Sequence, residues 1–214
     1  MDTSFNIIDY KVKYLSWGIA EGDIHGNDGV NDMSIELRNG DGKLELLSNE
    51  ECLWYPHKCS TTGITLSFWF KSIEKGDSVI QGRVFFQTNV ERKRTGFSMF
   101  QGDTPGEIIF EERRIAGYCQ IKVHSEPNLW SFFTLTYVNV SPTFHVFRNS
   151  VGIKLATDCT IAKSAFATNG RLLLGNGGDL SSALFDDVAM WQRKLSDEEI
   201  QRVYNYYYKG WYSM

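Results

Sequence analysis

Ala183-Leu184-Phe185-Asp186-Asp187-Val188-Ala189-Met190-Trp191-Gln192-Arg193-Lys194-Leu195-Ser196-Asp197-Glu198-Glu199-Ile200 is the stretch that decides the fold. Its first half, Ala183 to Trp191, is apolar apart from two carboxylates and reads as a strand. Simple alternation puts Phe185, Ala189 and Trp191 on one face with Asp187, and Leu184, Val188 and Met190 on the other with Asp186. One carboxylate of the pair is then expected to face inward. A buried carboxylate needs a backbone N–H, a cation or a metal. The second half starts a helix. Ser196 followed by Glu199 is a capping box, and Asp197, Glu198 and Glu199 set negative charge at the positive end of the helix dipole. Ile200, Val203, Tyr204 and Tyr207 repeat at helical spacing, and Gly210 can end the helix after about three turns.

Upstream of this stretch the signals are those of strands. In Ile64 to Lys71, Leu66, Phe68 and Phe70 alternate with Thr65, Ser67 and Trp69. Bulk on both faces fits a strand with one face in a core and the other partly covered. Val79 to Gln87 reads as strand, turn and strand. Gly96 to Phe100, Glu107 to Phe110 and Tyr118 to Val123 are short strands, with a turn at Gly102 to Gly106. Trp130 to Val140 is a long strand with Phe133, Leu135 and Tyr137 on one face. Phe144 to Phe147 and Val151 to Leu155 flank a hairpin turn at Arg148-Asn149-Ser150. Arg171 to Leu174 precedes the final strand. Many short strands with turns every 8 to 12 residues imply an all-β sandwich or barrel, followed by a short C-terminal α-helix. No linker or internal repeat divides the chain, so one domain over 1–214 is expected.

Composition excludes several classes. The 214 residues carry 14% aromatic side chains, too many for a disordered chain. A net charge of −4 leaves no global basic field, so nucleic acid is not an expected partner. Arg92-Lys93-Arg94 and Arg113-Arg114 read as solvated loop or edge-strand charge. No apolar run reaches the roughly 20 residues of a membrane span, so this domain is not expected to insert into a membrane. The N-terminus shows no secretory signal. The chain is therefore expected to be either cytosolic or a mature domain cut from a longer one.

The four cysteines, Cys52, Cys59, Cys119 and Cys159, favour the second choice. They allow three pairings. A local bridge between Cys52 and Cys59 is sterically natural around Pro56. Cys119–Cys159 would then close a long loop, stabilising by about 4 kcal/mol in the chain-entropy model. Zinc usually wants cysteines two to four residues apart, and no such pair occurs. Four buried free thiols are the plainer alternative. Two disulfides imply an oxidising, extracellular or cell-surface setting.

Together these pieces resemble the laminin G-like jelly-roll domains of the concanavalin A-like lectin/glucanase superfamily, relatives of the pentraxins. The final strand and helix start resemble that family's "DDVxxWxRxLSxEEI" signature. Ile64 to Phe70, Trp130 to Tyr137, Val146 to Val151 and Leu172 to Gly175 resemble its other strands, in the expected order, so the resemblance runs over about residues 14 to 207. Ser150 departs from it by replacing the usual turn glycine. The resemblance implies two antiparallel sheets and an extracellular recognition module for a protein or glycan at the cell surface. A homo-oligomer is compatible with it. It also implies a calcium site. Asp23-Ile24-His25-Gly26-Asn27-Asp28-Gly29 resembles the family's early Gly-rich metal loop, with Asp23, Asn27, Asp28 and Asp186 or Asp187 as ligands and Asn176 and Asp179 as second candidates. Calcium takes 6–8 oxygens, and such a loop is rich in them.

Catalysis is not expected. The retaining glucanases of the superfamily need two carboxylates about 5 Å apart. Glu107, Glu111 and Glu112 are the nearest cluster, and four residues along a strand separate Glu107 from Glu111 by roughly 13 Å. His25, His57, His124 and His145 form no triad. Trp54 and Tyr55, between two cysteines, are candidate ligand-binding aromatics on a pinned loop. A spacer or oligomerisation module without its own ligand is the alternative function, and a polysaccharide-active enzyme the remoter one.

Overall fold

The computed structural model describes residues 35–37, 44–46, 63–73, 84–88, 96–114, 117–138, 143–156, 172–174, 182–191 and 193–209. Among them are twelve strands and one helix: β1 (Ile35–Leu37), β2 (Leu44–Leu46), β3 (Ile64–Ile73), β4 (Val84–Gln87), β5 (Gly96–Gln101), β6 (Glu107–Arg114), β7 (Gly117–His124), β8 (Ser131–Val138), β9 (Thr143–Arg148), β10 (Val151–Ala156), β11 (Leu172–Leu174), β12 (Ser182–Trp191) and α1 (Asp197–Lys209). Two six-stranded sheets have the orders β1-β12-β3-β8-β9-β10 and β2-β11-β4-β5-β6-β7. Every pairing is antiparallel. β12, near the end of the chain, lies between β1 and β3, so late sequence completes a sheet begun early.

The main core is the space between the sheets. β3 supplies Leu66, Phe68 and Phe70, β8 supplies Phe133, Leu135 and Tyr137, and the second sheet answers with Phe86, Met99, Phe110 and Ile121. Phenylalanines interlock there: Phe70 meets Phe85 at 4.9 Å and Phe110 meets Phe133 at 5.0 Å between ring centroids. Each fully buried ring contributes about 1.5–3 kcal/mol of transfer free energy.

The outer face of the first sheet is covered as well, by α1. Both arms of the expected capping box form: Glu199 N–H donates to Ser196 Oγ at 3.3 Å, and Ser196 N–H donates to Glu199 Oε2 at 2.9 Å. Arg193 holds both oxygens of Glu199 at 2.7 Å. Leu195 and Ile200 pack on Phe147, Ala189 and Trp191, with Val203 beside them. Val203 and Tyr204 also pack on Trp69 and Phe132. The bulk on the second face of β3 is thus explained by a helix lying over it.

One expectation about β12 is corrected. Simple alternation grouped Phe185 with Ala189 and Trp191. The pairing with β3 shifts between Asp186 and Ala189: Asp186 pairs Trp69, but Ala189 pairs Ser67. Three steps on β12 match two on β3, which is a bulge. Asp187 carries the extra residue with φ 47°, in the left-handed region. The bulge turns every later side chain over. Phe185 and Met190 therefore share the main core, while Ala189 and Trp191 face α1.

The β9–β10 hairpin uses the expected turn. Arg148 pairs Val151, and the two residues between, Asn149 and Ser150, have φ 50° and 63°. That is the mirror-image two-residue turn that suits strand twist.

Candidate functional site

The outward face of β6 and β7 carries an ordered polar cluster. Alternation builds it. On β7, Cys119, Ile121 and Val123 point into the core, leaving Tyr118, Gln120, Lys122 and His124 outward and exposed. On β6, Ile108 and Phe110 point inward, leaving Ile109, Glu111 and Arg113 outward. The register sets Glu111 opposite Gln120 and Arg113 opposite Tyr118.

Those four side chains form a block. Gln120 Nε2 donates to Glu111 Oε2 at 2.6 Å. Arg113 grips the same carboxylate from the other side, with Nε 2.7 Å from Oε1 and Nη2 3.1 Å from Oε2. Glu111 is 2% exposed, so its charge is held by two donors in a poorly solvated place. The Arg113 guanidinium sits 5.5 Å from the Tyr118 ring centroid, which stiffens that ring. Tyr118 is 54% exposed.

A second charged group adjoins it. Lys122 Nζ lies 3.2 Å from Glu107 and 3.7 Å from Asp103. Glu107 Oε2 also accepts from Asp103 N–H at 2.8 Å. That backbone bond, with Lys122, holds the Glu107 carboxyl below its usual range. Glu107 in turn raises the Lys122 ammonium. The turn needs Gly106: its φ is +70°, and a Cβ there would meet the Ser125 carbonyl at 2.6 Å. Glu107 and Glu111 share the outward face, as expected, yet each has its own cation, so they make no facing acid pair.

The residues picked from sequence fare unevenly. Asp23, Asn27, Asp28, Trp54, Tyr55, Cys52, Cys59, Cys159, Asn176 and Asp179 lie outside the described residues. Cys119 is buried on β7 and is not a free thiol. Asp186 is 9% exposed, and its Oδ1 accepts from Asp187 N–H at 2.8 Å. Among the described residues no group of three or more His, Cys, Asp or Glu could hold a metal. Asp186 and Asp187 offer fewer oxygens than the six to eight calcium takes.

Arg113 stands on an inner strand, paired with a carboxylate, where sequence suggested solvated loop or edge charge. Tyr118, Gln120 and Lys122 went unnoticed as a group. Their signal was the alternation of Gly117-Tyr118-Cys119-Gln120-Ile121-Lys122-Val123-His124 read against Glu107 to Arg114 as one hairpin. No helix among the described residues is long and apolar enough to cross a membrane.

Two packed antiparallel sheets with a C-terminal helix strapped outside define a jelly-roll module of the laminin G type. A laminin G sequence pattern, described as the concanavalin A-like lectin/glucanases superfamily, matches residues 32–201, and the chain belongs to that superfamily. A search of curated proteins returns no match. Solved structures similar in fold include the receptor binding domain of botulinum neurotoxin C/D mosaic serotype, with 16% identity, TM-score 0.68, and coverage of 86% of this chain and 45% of that one. The binding domain of Paraclostridial Mosquitocidal Protein 1 aligns with 18% identity, TM-score 0.66, and coverage of 84% and 45%. The botulinum neurotoxin type G receptor binding domain aligns with 11% identity, TM-score 0.61, and coverage of 82% and 43%. The chain spans less than half the length of these solved chains.

Proposed function

We propose that this chain is a non-catalytic extracellular recognition module whose ligand, a protein or glycan at a cell surface, docks on the outward face of β6 and β7. The observation that carries it is Tyr118: an exposed ring, stacked on Arg113, beside a Gln120–Glu111 pair already locked in place. Such an aromatic offers a large apolar contact at little ordering cost. The surrounding carboxylates are matched by cations, which suits an uncharged, hydrogen-bonding ligand such as a neutral saccharide. The names of the structural neighbours, receptor binding domains, agree with a binding role. In this reading Trp54 and Tyr55 extend the surface. Cys52–Cys59 and Cys119–Cys159 brace it in an oxidising compartment. Calcium joins Asp186 or Asp187 to Asp23, Asn27 and Asp28.

The test is binding of the intact chain to a glycan panel and to cell-surface ectodomains, repeated with Tyr118→Ala and Gln120→Ala. Each variant should lose about tenfold in affinity, the size of one 1.4 kcal/mol contact. Full binding by both variants would move the ligand off this face. No binding by the native chain to any probe would sink the recognition role in favour of a spacer.

A further inference from the structure

Beneath α1 the first sheet presents a row of four residues in register across β12, β3, β8 and β9: Ala189, Ser67, Thr134 and Phe147. Both ends of the row, Ala189 and Phe147, pack against Leu195 and Ile200. The next row along the strands, Trp69 and Phe132, packs against Val203 and Tyr204. Val203 packs against both groups. The middle of the first row is Ser67 and Thr134, 0% and 1% exposed. Among the described residues, neither Ser67 Oγ nor Thr134 Oγ1 has a hydrogen-bond partner. The contrast with Thr65, one row away on the same face of β3, is sharp. Its hydroxyl donates to the Arg193 carbonyl and accepts from Leu195 N–H.

Directly opposed residues of an antiparallel pair have Cβ atoms about 5 Å apart. Two opposed side chains, both buried and both with hydroxyls that lack a protein partner, form a small polar patch between Ala189 and Phe147. Buried hydroxyls left unmatched are costly, and a polar cavity with two or more partners is where buried water settles. We infer that Ser67 and Thr134 together form a binding site for a single water molecule, held between the sheet and α1 as part of the joint between them. A metal ion does not suit the site, since the patch offers two neutral hydroxyls and its edges are carbon. Water suits it because each hydroxyl can donate to it or accept from it.

Thr134→Val tests this with nearly unchanged shape. If the water is held, the variant loses one anchor and leaves Ser67 unsatisfied, and the melting temperature of the intact chain falls by about 2–4 °C. Ser67→Ala should fall similarly, and the double variant should fall by less than the sum, because the second loss removes a group already orphaned. An unchanged or raised melting temperature for Thr134→Val, or strict additivity, overturns the site. Should the variants fail to fold, a crystal structure of the native chain decides. Ordered density within about 3.2 Å of both hydroxyl oxygens supports the site, and its absence overturns it.

Discussion

The Thr65 hydroxyl accepts the Leu195 N–H at 2.9 Å, joining residues 130 positions apart. It also donates to the Arg193 carbonyl at 2.8 Å. One side chain at the start of β3 thus anchors the segment that leads into α1. Leu195 is fully buried, so its N–H has no recourse to water. Thr65→Val keeps the shape and removes both bonds. It should cost about 2 kcal/mol, lowering the thermal midpoint by roughly 4–8 °C. Thr65→Ser should recover most of it. A Thr65→Val midpoint equal to the native one in circular dichroism melts would show that the anchor contributes nothing.

Glu199 makes the start of α1 sensitive to acid. Hydrogen bonds from Arg193, reinforced by the Ser196 N–H, hold its carboxyl below the usual range. A depressed folded value stabilises above the ordinary carboxylate value of about 4.3, and the gain is lost as pH falls through the folded value. Arg193 is 46% exposed at its side chain, so solvent screens the pair and about 1 kcal/mol is a fair ceiling. Glu199→Gln, which keeps the cap but not the charge, should be less stable than the native chain at pH 7. The two should converge in urea titrations once the pH has fallen below the folded value. A gap that stays constant with pH would assign the effect to packing.

His145 acts at milder pH. It faces α1 on β9, and burial, with Lys194 adding repulsion, lowers its imidazolium pKa against the opposing pull of Asp197. The unfolded chain then binds the proton first, below about pH 6.5. Stability should fall as pH drops from that value toward the folded one, and level off beneath it. His145→Gln should flatten this slope between pH 7.5 and 5.5. An unchanged slope in the variant would place the titrating group elsewhere.

Asn149 closes the β9–β10 hairpin and also tethers β8. Its side-chain oxygen accepts Phe132 N–H at 3.0 Å, and its own N–H donates to the Phe132 carbonyl at 2.8 Å. Asn149→Ala loses the first bond and puts alanine at a positive φ, together about 2–3 kcal/mol. At the neighbouring position, Ser150→Gly relieves the left-handed backbone but gives up the 2.8 Å bond to Gln201. These offset, and the melting point should move by no more than about 3 °C. A harmless Asn149→Ala would mean the turn is held by its strands alone.

Calcium can be tested without knowing the ligand. Binding to the native state alone raises stability by RT ln(1 + [Ca²⁺]/Kd). Millimolar calcium against chelator should shift the melting point upward by several degrees, and Asp186→Asn with Asp187→Asn should abolish the shift. The absence of any shift in the native chain would leave the β12 carboxylates a purely structural pair.

Much of this was legible in sequence because periodicity reports faces. Leu66, Phe68 and Phe70 reached the core as their spacing required, and Ser196 with Glu199 marked the helix start to the residue. The bulge at Asp187 was not legible. Alternation assumes one residue per step, and nothing in Asp-Asp-Val announces an inserted one. Tyr118 and Arg113 were hidden for a different reason: they meet only across a hairpin, so their meaning depends on register. Glu111 looked like half of a failed acid pair until that register supplied Arg113 and Gln120.

The distribution of aromatic types has an optical consequence. Among the described residues the main core holds phenylalanines and one tyrosine but no tryptophan, whereas Trp69 and Trp191 lie against α1 and Trp130 packs beside Trp69. With Trp17, Trp54 and Trp211 replaced by phenylalanine, indole emission from these three reports the seating of the helix, while the far-ultraviolet signal is dominated by the sheets. If the helix lifts before the sandwich melts, red-shifted fluorescence will precede the loss of ellipticity, and the protein carries its own two-colour gauge of the order in which it comes apart.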